Sequence, residues 1–263
     1  MGAILTLTSD FGPGEYVAAM KGVVLGIAPD ATIVDVDHNV RPQDVVHGAY
    51  VLYAAVPHFP FAAHVAVVDP GVGTPRRGIV VVAEGAFLVG PDNGLLLPAA
   101  QRLGLKEVRH ITNRALMREA VSDTFHGRDV FAPVAAHLLT GTKVKDVGPV
   151  VRDFADLDFG TPSKTKGGFE ARVITADRFG NVITNVPRSL GEKTWRLGDR
   201  LAVALGGYEM TVALVRTYGE VPAGELLATY SSSGFLEIAR REGSAAKDLD
   251  AAPKATVTVR KAP

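Results

Sequence analysis

Ala3-Ile4-Leu5-Thr6-Leu7-Thr8, running into Ser9-Asp10-Phe11-Gly12-Pro13-Gly14, is the stretch on which the fold turns. The first six residues are apolar or threonine, rich in β-branched side chains and uncharged, at the length of a buried strand. The Gly/Pro segment after them stops the strand. From Glu15 to Ile27 the period changes, with Val17, Met20, Val24 and Ile27 on one helical stripe. Thr32-Ile33-Val34-Asp35-Val36 reads as the next strand and 42–56 as the next helix, with Pro42 suited to its first turn. Strands are expected at 64–68, 78–83 and 86–89, and a helix at 130–139. Helix after strand in this order predicts an α/β unit, a mostly parallel sheet flanked by helices.

Downstream the pattern changes. Residues 153–168 carry charge, Gly and Pro without apolar periodicity, as an inter-domain linker does. Beyond it, 201–205 and 208–215 flank Gly206-Gly207, a pair suited to a two-residue hairpin turn. Ala255-Thr256-Val257-Thr258-Val259 alternates strictly. The expected organisation is an N-terminal α/β domain at 1–152, the linker at 153–168, and a smaller antiparallel β-barrel-like domain at 169–263.

Composition narrows the function classes. Lys plus Arg and Asp plus Glu both number 28. This balance favours a small-molecule partner over nucleic acid or an anionic membrane. No cysteine is present, so thiolate catalysis, disulfides and Cys-ligated metal are excluded. No apolar run reaches the roughly 20 residues of a membrane span. The amino terminus lacks the pattern of a secretory signal, though Met1-Gly2 fits the loose myristoylation pattern. A cytoplasmic location is the expectation. All seven histidines precede the linker, so imidazole chemistry belongs to the first domain.

Five segments carry candidate chemistry. Thr8 to Gly14 joins a strand to a helix, where ligands often sit in open α/β sheets. Its Asp10 suits either a ribose diol or a helix N-cap. It is not a dinucleotide fingerprint, because Val17 stands where a third glycine would. Asp69-Pro70-Gly71-Val72-Gly73-Thr74-Pro75-Arg76 places a carboxylate at a strand end, able to pair with Arg76, or forms a turn with a surface ion pair. Asp123 to Asp129 offers His126, Arg128 and Asp129 before a helix that Asp129 could equally cap. In Asp177-Arg178-Phe179-Gly180-Asn181, the Asn181 amide could read an adenine edge and Phe179 could stack on the base, or the segment is a polar turn. Tyr230-Ser231-Ser232-Ser233-Gly234 precedes a strand carrying Glu237 and Arg240, and its serines suit a carboxylate, a base edge or an ordinary loop.

In this order the segments resemble the S-adenosylmethionine (SAM) hydroxide adenosyltransferase family, relatives of the bacterial fluorinase and chlorinase. The matching pieces are Ser9-Asp10-Phe11-Gly12, Asp69 to Thr74, Pro91-Asp92-Asn93-Gly94-Leu95-Leu96, Thr124 to Asp129, Phe179 to Asn185 and Gly234 to Ala239. The resemblance implies a homotrimer with active sites between the N-terminal domain of one subunit and the C-terminal domain of its neighbour. It implies ribose binding by Asp10, handling of water by Asp69, Arg76 and His126, and substrate contacts from Asp177, Phe179, Asn181, Ser232, Glu237 and Arg240. The halogenases carry a tyrosine or another residue where Asp69 stands. The chain departs from the family at Ser231, where Asn is usual, and at Arg241, also in place of Asn.

The implied reaction is hydrolysis of SAM at the ribose C5′, giving adenosine and methionine, with SAM as substrate and no cofactor. Water has a pKa near 15.7 and Asp near 3.9, so prior deprotonation by a carboxylate would cost on the order of 16 kcal/mol. Proton loss as the C–O bond forms is the expected course, with Asp69 or His126 as acceptor. Three other readings stay open at this point. One is a metal hydrolase built on scattered Asp35, Asp37, His38, His47 and His64. Another is a non-catalytic adenosine- or SAM-binding protein. The third is a halide-using relative.

Overall fold

A computed structural model describes residues 3–263. The chain divides into two compact units, one ending at Asp158 and one running from Phe159 to Pro263. Met1-Gly2 lies outside the described residues, and with it the myristoylation pattern.

The first unit is built from β1 (Ile4–Ser9), α1 (Glu15–Ile27), β2 (Thr32–Asp37), α2 (Val45–Ala55), β3 (Ala62–Val67), β4 (Gly78–Ala83), β5 (Ala86–Pro91), α3 (Leu97–Leu103), β6 (Leu105–His110), α4 (Ala132–Leu139) and β7 (Val150–Val151). The sheet order is β2-β1-β3-β5-β4-β6-β7. Strands β2, β1, β3 and β5 run parallel, and the pairs from β5 outward to β7 are antiparallel. Leu5 and Leu7 pack with Val17, Met20 and Val24 of α1 and with α4, while Thr6 on the other face meets His64. Burial of both faces is why β1 reads as a continuous apolar run.

Helix α1 has the predicted limits. Helix α2 starts at Val45 rather than Pro42. Gln43 adopts a left-handed conformation (φ 63°), and the Asp44 carboxylate caps the helix by accepting the His47 N–H at 2.9 Å. Helix α4 is preceded by a wider π-helical turn, Gly127–Phe131, that propensity did not disclose.

The second unit comprises β8 (Ser163–Thr165), β9 (Gly168–Ala176), β10 (Val182–Pro187), α5 (Arg188–Thr194), β11 (Arg200–Leu205), β12 (Tyr208–Leu214), β13 (Leu226–Tyr230), β14 (Phe235–Arg240), α6 (Ala245–Asp248) and β15 (Thr256–Lys261). Pairing of β9 with β10 closes seven of these strands into a barrel, β9-β10-β14-β13-β12-β11-β15, filled by Val182, Leu201, Val203, Leu236, Ile238, Val257 and Trp195. Gly206 and Gly207 turn the β11–β12 hairpin with φ of 61° and 82°, as a type I′ turn requires. One pair departs from the antiparallel pattern: β12 and β13 run parallel.

Within 153–168, the first residues are tied to the first unit. Arg77 Nη1 donates to Asp153 Oδ1 at 3.0 Å, and Ala155 N–H to Asp92 Oδ1 at 2.8 Å. Ser163–Thr165 forms β8 against β9, a short exposed strand whose charges hide it from periodicity. Among the described residues no helix is long and apolar enough to cross a membrane.

Candidate active site

Strand register brings the first acidic residues to one edge. Ser9 pairs with Val67 across β1 and β3, so the segments leaving those strands, carrying Asp10 and Asp69, emerge from neighbouring carboxyl ends. Neighbouring strands lie about 4.8 Å apart, and this edge is where open α/β sheets place ligands.

Asp69, Arg76 and His126 converge there. Arg76 holds Asp69 through two bonds, Nε to Oδ1 at 3.1 Å and Nη2 to Oδ2 at 2.5 Å. Nη2 also lies 3.0 Å from His126 Nδ1. The guanidinium and carboxylate side chains are only 9% and 5% exposed, so this is not a surface ion pair. Phe131, fully buried, lies beneath, with the Arg76 guanidinium 5.5 Å from its ring centre. A guanidinium has only donors, so His126 Nδ1 accepts. The neutral ring then carries its proton on Nε2 and presents an N–H there. Of the two, Asp69 is then the one with lone pairs free to accept a proton.

Burial raises the Asp69 pKa above its usual 3.8, opposed by the Arg76 charge. Burial and then the Arg76 charge lower that of His126 below 6.5, against the pull of Asp69. The lowered pKa keeps His126 neutral near neutral pH, the two Arg76 bonds favour the carboxylate form of Asp69, and the arrangement can hold a water with an N–H donor and a carboxylate acceptor.

The loops are fixed by contacts whose purpose spacing left unassigned. Asn93 Nδ2 donates to the Val68 carbonyl at 2.9 Å, securing the residue before Asp69. Asp92 Oδ2 accepts from Arg77 Nε at 2.9 Å. Asp129 does not cap α4. It is fully buried and accepts from Arg128 at 2.7 Å, Arg118 at 3.2 Å and the Ser122 N–H at 2.9 Å, which ties down the loop bearing His126. Burial opposes its ionisation, but these donors outweigh that and hold its pKa below the usual value. Asp10 does not cap α1 either: the cap position is Gly14, and Asp10 Oδ2 accepts the Gln43 N–H at 2.8 Å.

The second unit gathers most of the remaining candidates at one end of its barrel. Asp177 Oδ1 accepts the Phe179 and Asn181 N–H groups at 2.9 Å, and Oδ2 accepts from Asn181 Nδ2 at 2.9 Å, so the segment is a polar turn with its amide engaged. That turn presents Phe179 at 78% exposure. Glu237 pairs with Ile183 on the adjoining strand, is buried, and accepts from Tyr218 Oη at 2.5 Å. Arg240 is bound to Asp248 and the Gly224 carbonyl. Ser232 is apart from these, in the turn at the opposite end of the β13–β14 hairpin. The scattered metal-ligand candidates do not assemble, since no group of three or more such side chains suited to a metal forms among the described residues.

Residues 5–148 match the SAM hydroxide adenosyltransferase N-terminal domain and residues 171–258 the C-terminal domain. The chain is 43% identical to the (R)-S-adenosyl-L-methionine hydrolase of Salinispora arenicola, over 95% of this chain and 94% of that protein. It is 30% identical to a fluorinase of an Actinoplanes species, over 98% of each. The crystal structure of an uncharacterized conserved protein from Thermotoga maritima superposes with a TM-score of 0.92 at 38% identity, covering 98% of this chain and all of that one. The chain belongs to the SAM hydroxide adenosyltransferase family.

Proposed function

We propose that this protein hydrolyses SAM to adenosine and methionine, with Asp69, Arg76 and His126 handling the water. The observation that carries the reading is the buried, bidentate Asp69–Arg76 pair with His126 Nδ1 on the same guanidinium. Water attacks C5′ in line with the sulfonium. The C5′–S bond breaks with its electron pair going to sulfur, which leaves as the neutral thioether of methionine. The new C5′–O bond forms, and one proton passes from the water oxygen to Asp69. His126 Nε2–H orients the water, and Arg76 holds both partners and stabilises negative charge developing on oxygen. No cofactor takes part.

Asp10 binds the ribose hydroxyls. The turn carrying Asp177, Phe179 and Asn181, with Glu237 and Arg240 beside it and Ser232 beyond, contacts the rest of the substrate. The related hydrolase's name specifies the (R) form of SAM, and the same epimer is the proposed substrate here. Assembly is a homotrimer in the cytoplasm, each active site shared by two subunits, as the family resemblance implies.

Asp69→Asn and His126→Ala test the assignment. Each should lower kcat at least about 100-fold, as loss of a general base or water-orienting group does, with SAM affinity by calorimetry within about threefold of wild type. Turnover that survives both replacements contradicts the reading.

A further inference from the structure

A second hydrogen-bonded chain runs through the first unit, outside the water-handling set. Lys21 Nζ donates to Asp35 Oδ2 at 2.5 Å, Asp35 Oδ1 meets His38 Nε2 at 3.1 Å, and His38 Nδ1 meets Ser9 Oγ at 2.7 Å. Serine, histidine and aspartate so connected suggest a nucleophilic triad. Burial argues otherwise: Ser9 is 1% exposed and His38 7%, so a substrate cannot reach the hydroxyl.

The position of the chain suggests another role. Ser9 ends β1 and immediately precedes Asp10. The His38 carbonyl accepts the Gly12 N–H at 2.8 Å. One residue thus grips the Asp10 loop on both sides, by its ring at Ser9 and by its backbone at Gly12. The same β2–α2 connection supplies the Gln43 N–H that meets the Asp10 carboxylate at 2.8 Å. With Asp35 accepting the Nε2 proton, the Ser9 hydroxyl is placed to donate to Nδ1. The Ser9 oxygen in turn faces the Phe11 N–H at 3.4 Å.

We propose that His38 is a positioning residue for Asp10, acting through Ser9 to hold the carboxylate where it reads the ribose diol. This rests on the assignment of ribose binding to Asp10. A carboxylate on a loop loses affinity when its orientation must be fixed at binding, and buried hydrogen bonds behind it remove that loss.

The test compares adenosine with 2′-deoxyadenosine binding by calorimetry. Wild type should prefer adenosine by at least about tenfold, as expected for a hydrogen bond to a charged group. In His38→Ala and in Ser9→Ala that preference should fall to about threefold or less, through weaker adenosine binding, with 2′-deoxyadenosine affinity unchanged. His38→Asn keeps an acceptor at the Nδ1 position and should retain the wild-type preference. A merely structural role would weaken both nucleosides alike. An undiminished preference in His38→Ala and Ser9→Ala overturns the inference and leaves the ribose assignment standing. Equal affinities in wild type remove the Asp10 assignment and this inference with it. If His38→Ala does not fold, Ser9→Ala alone decides.

Discussion

Arg76 faces His126 with donors only, so protonating His126 would set a second N–H against the guanidinium. The proposed mechanism therefore needs His126 neutral and Asp69 ionised. His126 titrates below its ordinary 6.5 and Asp69 above its ordinary 3.8. Activity should accordingly fall as pH drops, as whichever of the two groups titrates higher takes up its proton. A kcat/KM profile measures this, and a rise in activity on acidification would contradict it.

His64 makes a separate pH prediction. Its ring is fully buried, Nδ1 lies 2.8 Å from Thr6 Oγ1, and Nε2 has no hydrogen-bond partner among the described residues. Burial pushes its pKa down to about 4. The unfolded chain, titrating near 6.5, binds this proton first. Stability from this residue is thus fully present above pH 6.5 and lost as pH falls toward about 4, amounting to about 3 kcal/mol. Urea titrations at pH 7 and 4.5 should show that loss in wild type and a smaller one in His64→Gln.

At the scale of elements, the active-site loops depend on particular backbone conformations. Gly73 has φ 76°, and a Cβ there would lie 2.7 Å from the Asp123 carbonyl oxygen, where the Asp69 loop meets the loop leading to His126. Gly71 has no positive φ, and a Cβ would find ordinary contacts of 3.5 Å or more. Gly73→Ala should cost about 1–2 kcal/mol in conformation alone, displace the two loops and lower kcat, while Gly71→Ala is tolerated. Melting temperature and kcat for the pair check this, and equal behaviour would contradict it.

Elements with strong local signals were legible in the sequence. The stripe of α1, the apolar run of β1 and the Gly206-Gly207 hairpin are each set by residues close in the chain. The start of α2 was not, because Asp44 rather than Pro42 supplies the cap and Gln43 has an unmarked left-handed conformation. The parallel β12–β13 pair was also hidden, since the return path through 215–225 carries no signal of direction. In the site, residue types and order marked Asp69, Arg76 and His126. The support from Asn93, Gln43 and His38 comes from segments distant in sequence, which spacing cannot relate.

At the scale of the whole molecule, all the imidazole chemistry lies in the first unit, while the exposed Phe179 turn lies in the second. If the proposed homotrimer shares each site between neighbouring subunits, an Asp69→Asn chain and an Asn181→Ala chain complement each other. Co-expressed in equal amounts, they should recover about a quarter of wild-type activity by random assortment in a threefold ring. Recovery no greater than the two parents alone would place both halves of the site in one subunit.

The central claim is the reaction itself. Purified protein incubated with each sulfonium epimer of SAM, in halide-free buffer with a chelator and heavy-oxygen water, tests it most directly. The account predicts methionine and adenosine labelled at the 5′ oxygen, with the (R) epimer consumed in preference. Unchanged SAM under these conditions, or turnover that appears only on adding halide or metal, would contradict it.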